Sequence, residues 1–329
     1  MKAAKASPDN LVAPLDRLGL ASADLANFQI LPLIRRARDF HAYCFSGKRY
    51  LDLYRADGFS LLGYSLPSFS LGIKNRVSQA LWQGYPHPLH KQVLHALGQC
   101  FPNHQAILCL DRFQLQCVLE LLGIPGNRPL FPQAADLTGT LDKSTPDFWF
   151  PWTGPPKPIS LALIPTLGEQ GPFVLLLSKT LSTTMTPQLP TIQTLGNQVP
   201  VFAVAALITG LSVLQGLGAF LSFGAEQKTL TKPELGSASH PRTKGLIQQL
   251  GAWQETSWQS LKTAGWKRRG PYLLHDFSPR EYTQIFSYGL EKGIILNPRS
   301  AGVNFLPGTM SDGEQKLLES VLDFQPRGD

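Results

Sequence analysis

The sequence predicts an α/β fold with a mostly parallel central sheet in a large domain, followed by a small C-terminal α/β domain. Short apolar runs such as Ala106–Leu110 and Phe173–Leu177 are typical of strands buried on both faces. Helical patterns alternate with these runs, as they do in α/β folds. The chain has 43% hydrophobic and only 16% charged residues, which is enough apolar material for a sizeable core.

An N-terminal arm and hairpin are predicted over residues 1–58. His41–Phe45 is rich in strand formers, Ser46–Lys48 supplies a turn, and Arg49–Tyr54 predicts the returning strand. The net charge is +7, and the first hundred residues carry about two basic residues for every acidic one. The densest basic residues are Arg35, Arg36, Arg38, Lys48 and Arg49. A solvated face is favoured over a nucleic-acid site, because no nucleic-acid-binding motif accompanies them.

The large domain is predicted over residues 59–235. Helices are expected at Ser70–Leu81 and His90–Cys100. A strand at Ala106–Leu110 precedes Asp111 as a helix N-cap and a helix at Arg112–Leu122. Further strands are expected at Ile159–Ile164 and at Phe173–Leu177.

The segment Val201–Phe223 allows two interpretations. It is apolar enough to cross a bilayer, so a membrane-associated protein anchored by residues 201–223 is one alternative. It also contains Thr209, Ser212, Gln215 and three glycines, and it lacks the flanking anchors of a membrane span. We favour a helix in the interior of a large domain.

The small domain is predicted over residues 236–329. A long amphipathic helix at Thr243–Ala264 is followed by a strand at Pro271–Phe277 and a helix at Pro279–Lys292. Gly293–Asn297 predicts another strand. Ser311 and Glu314 form a capping-box pattern at the start of a last helix, Ser311–Asp323.

Targeting and metal signals are weak. The four cysteines form no CxxC pair, which predicts reduced thiols, and residues 1–20 lack the apolar run of a signal peptide, so a cytoplasmic location is expected. The spacing of His87, His90, His95 and His104 does not put three of them on one helix face. No metal site is therefore expected.

Two stretches resemble the class III aminotransferases, the fold type I family of pyridoxal-phosphate (PLP) enzymes that includes glutamate-1-semialdehyde aminomutases. The first comprises Gly47-Lys-Arg-Tyr-Leu-Asp-Leu and Leu62-Gly-Tyr-Ser-Leu-Pro. The second comprises Gly293-Ile-Ile-Leu-Asn-Pro and Asn304-Phe-Leu-Pro-Gly-Thr. The resemblance implies a three-layer large domain and dimers with sites at the interface. It also implies a cofactor-binding lysine in a PD…TLGK run.

That lysine is missing from the segment that resembles the family run. Pro190–Ala203 contains Thr194-Leu-Gly-Asn, which puts Asn197 at the lysine position. An amide cannot form a Schiff base with an aldehyde. Lys179, which directly follows a predicted strand, is the rival candidate for a displaced Schiff-base lysine.

The other family sites are also altered. Ser178 stands where the family has a carboxylate beside the pyridine nitrogen; it could donate a hydrogen bond but would not keep that nitrogen protonated. The phosphate-binding turn corresponds to Leu110–Gln114, which has no glycine or serine. Asp111 would repel a phosphate there, and Arg112 could partly compensate. The family's aromatic-His-Gly element has no counterpart, since no histidine occurs between His104 and His240.

The sequence therefore predicts a shortened, degenerate class III aminotransferase-like protein without transaminase activity, acting as a metabolite-binding or partner-modulating subunit. The expected cofactor is none, or non-covalently bound PLP through Arg112, Ser178 and Asn197. The expected partner is a second copy or an active relative, with a small-molecule ligand as a further option and neither nucleic acid nor membrane favoured. The alternative is an active PLP-dependent aminotransferase or aminomutase that uses Lys179.

Overall fold

The computed structural model describes residues 22–64, 87–124, 131–139, 146–166, 172–184, 199–217, 219–220, 259–260, 265–308 and 310–327, together with residues 71, 74, 75 and 78. Its helices are α1 (Ser22–Gln29), α2 (Pro88–Cys100), α3 (Arg112–Leu121), α4 (Ala134–Thr138), α5 (Lys179–Thr184), α6 (Val201–Gly216), α7 (Pro279–Lys292) and α8 (Asp312–Leu322). Its strands are β1 (Ile34–Arg38), β2 (His41–Cys44), β3 (Arg49–Asp52), β4 (His104–Cys109), β5 (Asp147–Trp149), β6 (Ile159–Ala162), β7 (Phe173–Ser178), β8 (Gln259–Ser260), β9 (Trp266–Arg269), β10 (Tyr272–His275), β11 (Ile294–Ile295) and β12 (Asn304–Phe305). The α/β fold class is confirmed.

The sheet of the large domain has the strand order β4-β7-β6-β5. β7 is antiparallel to both β4 and β6, whereas β5 and β6 are parallel. β4, β5 and β6 therefore end at one side of the sheet, which we call the carboxyl edge. β7 ends at the opposite side, the amino edge. Over these four strands the sheet is mixed, because the connection between β6 and β7 is too short for the helical crossover that parallel strands need.

Helix α6 is built into the core of the large domain. Val201, Val204, Leu207, Leu211 and Leu214 of α6 are fully buried in the main apolar cluster. No helix in the described part of the chain combines the length and apolar character needed to cross a membrane. The apolar pattern of this segment is thus matched by contacts within the protein.

The two ends of the chain share a sheet with the strand order β1-β2-β3-β11. β2 and β3 form the predicted hairpin, and β1 adds a third antiparallel strand. β3 pairs in parallel with β11, placing Leu51 opposite Ile294 and Asp52 opposite Ile295. The arm is therefore joined to the C-terminal part of the chain by backbone hydrogen bonds.

The C-terminal elements form a second sheet, β12-β10-β9-β8, with the helices α7 and α8. The predicted capping box is present at α8, where the backbone N–H of Ser311 donates to the Glu314 carboxylate at 2.9 Å. β8 is extended at Gln259–Ser260, so the predicted helix Thr243–Ala264 is wrong at those two residues. The rest of that helix, and most of the predicted helix Ser70–Leu81, lie outside the described residues, and the domain boundaries at 58 and 235 stay predictions.

Candidate functional site

The carboxyl edge is the candidate site, because ligands of α/β sheets bind where the parallel strands end. β4 ends at Cys109, β5 at Trp149 and β6 at Ala162. The segments that follow these strands are residues 110–114, 150–154 and 163–166. Their side chains define what this edge can do chemically.

The segment after β6 is covered by the chain itself. Leu163 and Ile164 are almost fully buried, and the backbone N–H of Thr166 donates to the carbonyl of Phe59 at 3.0 Å. Helix α6 runs so close that a Cβ atom on Gly210 would lie 2.2 Å from the carbonyl oxygen of Pro165. Helix α6 and the loop around Phe59 thus leave this segment no open face.

The segment after β5 is enclosed by two distant parts of the chain. Phe150 and Trp152 are buried, and the indole N–H of Trp152 donates to the carbonyl of Leu217 at 3.3 Å, just beyond α6. On the C-terminal side, the hydroxyl of Tyr272 donates to the carbonyl of Pro151 at 2.7 Å. Burial raises the pKa of Tyr272 well above its usual value, so this hydroxyl keeps its proton and remains a donor.

The turn after β4 caps its own helix. The Asp111 carboxylate accepts from the backbone N–H of Gln114 at 2.8 Å, as the sequence predicted. The Gln114 side-chain oxygen accepts in turn from the backbone N–H of Leu110 at 2.5 Å. Arg112 is the first residue of α3 and is partly buried. A carboxylate therefore occupies the helix N-terminus where a phosphate would otherwise bind.

Ser178 and Lys179 lie at the opposite side of the sheet. Ser178 pairs with His104 at the start of β4, and the backbone N–H of Lys179 donates to the carbonyl of Asn103 at 3.0 Å. The length of β4 separates them from Arg112 by more than about 17 Å. The structure does not bring these residues together with Arg112, and Asn197 lies outside the described residues.

A strained segment that the sequence analysis did not single out precedes Phe59. Arg55, Ala56 and Asp57 have φ angles of 47°, 50° and 55°, and Gly58 follows at 88°. Non-glycine residues in this left-handed region cost about 1–2 kcal/mol each. Such strain persists only where the surroundings hold it in place.

What holds the strained segment is a buried polar cluster at Asp57. Arg299 Nη1 lies 2.5 Å from Asp57 Oδ2, and Asn297 Nδ2 donates to Asp57 Oδ1 at 3.3 Å. The Arg299 guanidinium is also 4.6 Å from the ring centroid of Phe131 and 4.9 Å from that of Phe28. The two stretches that resemble the aminotransferases, around residues 47–67 and 293–308, meet at this cluster. The sequence signal for this cluster is the pair of motifs that resemble the family, because no local pattern connects residues so far apart in the chain.

Two of the four histidines considered as metal ligands contact backbone carbonyl groups instead. His90 Nε2 is 2.8 Å from the carbonyl oxygen of Val199, and His104 Nε2 is 3.0 Å from that of Lys157. Within the described residues, no three His, Cys, Asp or Glu side chains come together as they would around a metal ion.

Solved structures with a similar fold include aminotransferases and an aminomutase. An N-acetylornithine aminotransferase from Stenotrophomonas maltophilia has a TM-score of 0.55 at 10% identity, covering 91% of this chain and 96% of that one. A glutamate-1-semialdehyde aminomutase from Pseudomonas aeruginosa in complex with PMP has a TM-score of 0.54 at 12% identity, with coverage of 94% and 95%. Ornithine δ-aminotransferase from Plasmodium falciparum has a TM-score of 0.53 at 12% identity, with coverage of 90% and 94%. At these identities the likeness establishes the fold alone.

Similar sequences occur in spirochaetes. An uncharacterised protein of Treponema pallidum is 25% identical over 297 residues, which is 83% of this chain and 88% of that protein. An uncharacterised protein of Borreliella burgdorferi is 39% identical over 102 residues, or 30% of this chain and 38% of that protein. No family model matches the sequence.

Proposed function

We propose that this chain, which has the fold type I aminotransferase fold, is a non-catalytic protein of that fold that acts by binding a partner. One observation carries the proposal: at the carboxyl edge, where aminotransferase chemistry would take place, the described segments after β5 and β6 consist largely of the chain's own buried side chains. Phe150, Trp152, Leu163 and Ile164 are each no more than 5% exposed. Among the described residues, these two segments therefore leave little open surface for a cofactor and its substrate.

The described residues do not fit PLP. The cofactor needs a lysine amine for its aldehyde and a carboxylate for its pyridine nitrogen. The described segments 150–154 and 163–166 contain no charged side chain. After β4 the only acidic group is Asp111, which caps α3 and would repel a phosphate. These described residues therefore provide no group for a catalytic step on this cofactor.

A second stretch of sequence supports the loss of the lysine. Thr-Leu-Gly, the triplet that precedes the family lysine, occurs at 194–196 before Asn197 and again at 166–168 before Glu169. Thr166 lies at the carboxyl edge, in the segment that follows β6, which makes the second occurrence an equally good counterpart of the family run. Asn197 and Glu169 both lie outside the described residues. With either alignment, the residue at the position of the family lysine is asparagine or glutamate, and neither has an amine.

The competing function is an active PLP enzyme that uses Lys179. Lys179 follows β7, the strand that runs against its neighbours, and therefore lies at the amino edge. A cofactor bound to it would be on the far side of the sheet from Arg112 and from the carboxyl ends of the parallel strands. This geometry favours the non-catalytic function.

Incubation of the full-length protein with PLP, followed by borohydride reduction and mass spectrometry, tests the proposal. Reduction converts a Schiff base to a stable adduct, so we expect no stoichiometric, site-specific adduct and no internal-aldimine absorbance band. Lys179→Ala and the control Lys267→Ala, at another exposed lysine, should behave like the unchanged protein. A single stoichiometric adduct that disappears only in Lys179→Ala would show a specific PLP site at Lys179 and reject the proposal.

Partner binding is tested separately by light scattering and by mixing with an active aminotransferase. We propose that the chain pairs either with a second copy of itself or with an active relative. The expected result is a two-chain particle, together with a change in the relative's activity if the heterodimer forms. A monomer that neither associates with the relative nor alters its activity would contradict this part of the proposal.

A further inference from the structure

Strand β1 lies at the end of its sheet. The strand order is β1-β2-β3-β11, and β1 pairs only with β2 among the described strands. The register shifts between Ile34 and Arg36, which leaves Arg35 in a bulge. An outer strand of this kind presents backbone donors and acceptors on which a further strand can add.

Apolar side chains are exposed beside this strand. Leu33 is 80% exposed and Phe45 is 71% exposed, and Ile30 and Ile34 are exposed as well. The backbone N–H of Phe45 donates to the carbonyl of Leu33 at 3.2 Å, which holds these two residues side by side. Single exposed apolar residues are ordinary. Leu33 and Phe45, however, lie next to each other and form an exposed apolar pair beside β1.

The same surface is basic. Arg35, Arg36 and Arg38 are all exposed. The Arg36 guanidinium lies 4.5 Å from the ring centroid of Tyr43, while Arg38 is 3.6 Å from the exposed carboxylate of Asp39. Arg35 has no carboxylate partner within the described part of the chain. We call β1 with Leu33 and Phe45 the basic edge.

The positive charge of the basic edge limits which kind of partner can bind there. Charged residues on an outer strand often only prevent aggregation, but that role does not account for the exposed Leu33 and Phe45. A second copy of β1 added edge to edge would bring arginines opposite arginines, which is unfavourable. An acidic strand with apolar side chains would complement both the charge and the apolar surface.

We propose that the basic edge binds an extended, acidic and partly apolar segment of a different protein, which adds to β1 as a further strand. Backbone hydrogen bonds supply affinity in this mode, and the alternating side chains supply specificity. The proposal does not depend on whether the chain is catalytic, because the basic edge contains none of the residues of the carboxyl edge.

Fluorescence anisotropy with the full-length protein tests it, using a labelled peptide of about eight residues that alternates Glu and Val. One control peptide alternates Lys and Val; a second is the Glu-Val peptide with every backbone nitrogen methylated, which keeps the charge and the side chains but has no N–H to donate to β1. We expect saturable binding of the Glu-Val peptide alone, weakened by salt. Arg35→Glu combined with Arg36→Glu should weaken it about tenfold or more.

Matched variants separate the two parts of the surface from general effects. Leu33→Ser should also weaken the Glu-Val peptide, whereas Phe113→Ser and Lys316→Glu, on helices α3 and α8, should leave binding unchanged. Thermal unfolding checks that each variant folds. Equal binding of the N-methylated peptide, or no loss of binding in the Arg35/Arg36 variant, would overturn strand addition at this edge.

Three further results would reject the chosen partner. Binding to phosphatidylserine vesicles with no binding of the peptide would assign the surface to a membrane. Slow amide exchange of β1 in the free monomer would mean that the chain covers its own edge. Protection of β1 that appears only with self-association, detected by light scattering, would assign the surface to a second copy.

Discussion

Arg299 and Asp57 form a buried ion pair, with Nη1 of Arg299 2.5 Å from Oδ2 of Asp57. The two residues are 242 positions apart, and the carboxylate is fully buried. Asp57 lies in the left-handed segment after β3, and Arg299 lies in the loop between β11 and β12. The pair therefore links the N-terminal and C-terminal parts of the chain at a strained stretch of backbone.

Removing the cation should destabilise the protein strongly. Arg299→Met leaves Asp57 charged and buried without its ion-pair partner, and we expect a loss of about 3–5 kcal/mol in the free energy of unfolding. Urea denaturation measures this change. The double variant Arg299→Met with Asp57→Asn should be less destabilised than the sum of the single variants, because it leaves no unpaired buried charge.

The exposed pair Lys267–Asp276 serves as the control. Its atoms are 2.6 Å apart, but both side chains are about half exposed. Lys267→Met should change the free energy of unfolding by less than about 1 kcal/mol, because surface ion pairs contribute little. Equal losses for Arg299→Met and Lys267→Met would contradict a stabilising role for the buried pair.

A methyl group at Gly210 should disturb the contact between α6 and the carboxyl edge. The added Cβ would lie 2.2 Å from the carbonyl oxygen of Pro165. Gly210→Ala should therefore destabilise the protein by about 2 kcal/mol or more, despite the better helix propensity of alanine. The control is Gly98→Ala in α2, where nothing lies within 4 Å. That change should stabilise the protein by about 0.5–1 kcal/mol, and chemical denaturation of both variants compares them.

Stability should fall in mild acid because of His275. Its ring stacks on Tyr282, with centroids 4.1 Å apart, and burial lowers the pKa of His275 to about 4. The folded state thus binds a proton less readily than the unfolded chain, where histidine titrates near its ordinary pKa of 6.5. The stability from the neutral ring is complete above pH 6.5 and is lost as the pH falls toward 4.

The variant His275→Phe isolates this effect. It keeps an aromatic ring on Tyr282 but cannot be protonated. Between pH 7 and pH 5 the unchanged protein should lose about 2 kcal/mol more than the variant in the free energy of unfolding. The two proteins are compared by urea denaturation at both pH values. Equal pH dependence would show that folding does not lower the pKa of His275.

Several features of the candidate site could be predicted from the sequence because they are local. Asp111 caps α3 through a bond to Gln114, and Ser311 and Glu314 close a capping box on α8. Each contact spans three residues, so the sequence alone contains both partners. The lack of glycine and serine in the turn Leu110–Gln114 could be predicted to alter a phosphate site for the same reason.

The direction of β7 was not predicted, although one signal for it existed. Apolar runs such as Phe173–Leu177 look alike in parallel and antiparallel strands buried on both faces. The short connection from 163 to 172 is what excludes a helical crossover. Because β7 is reversed, Ser178 and Lys179 lie at the amino edge and not beside Arg112.

The sequence by itself determined the helix caps, the β2–β3 hairpin and the α/β class, because hydrogen bonds within a few residues and the spacing of apolar side chains set them. Only the tertiary structure decided that Gly210 of α6 packs on Pro165, that Arg299 reaches Asp57, and that the described segments after β5 and β6 are largely buried. These contacts depend on how distant segments pack against one another, and no local pattern encodes which of many apolar or charged groups will meet.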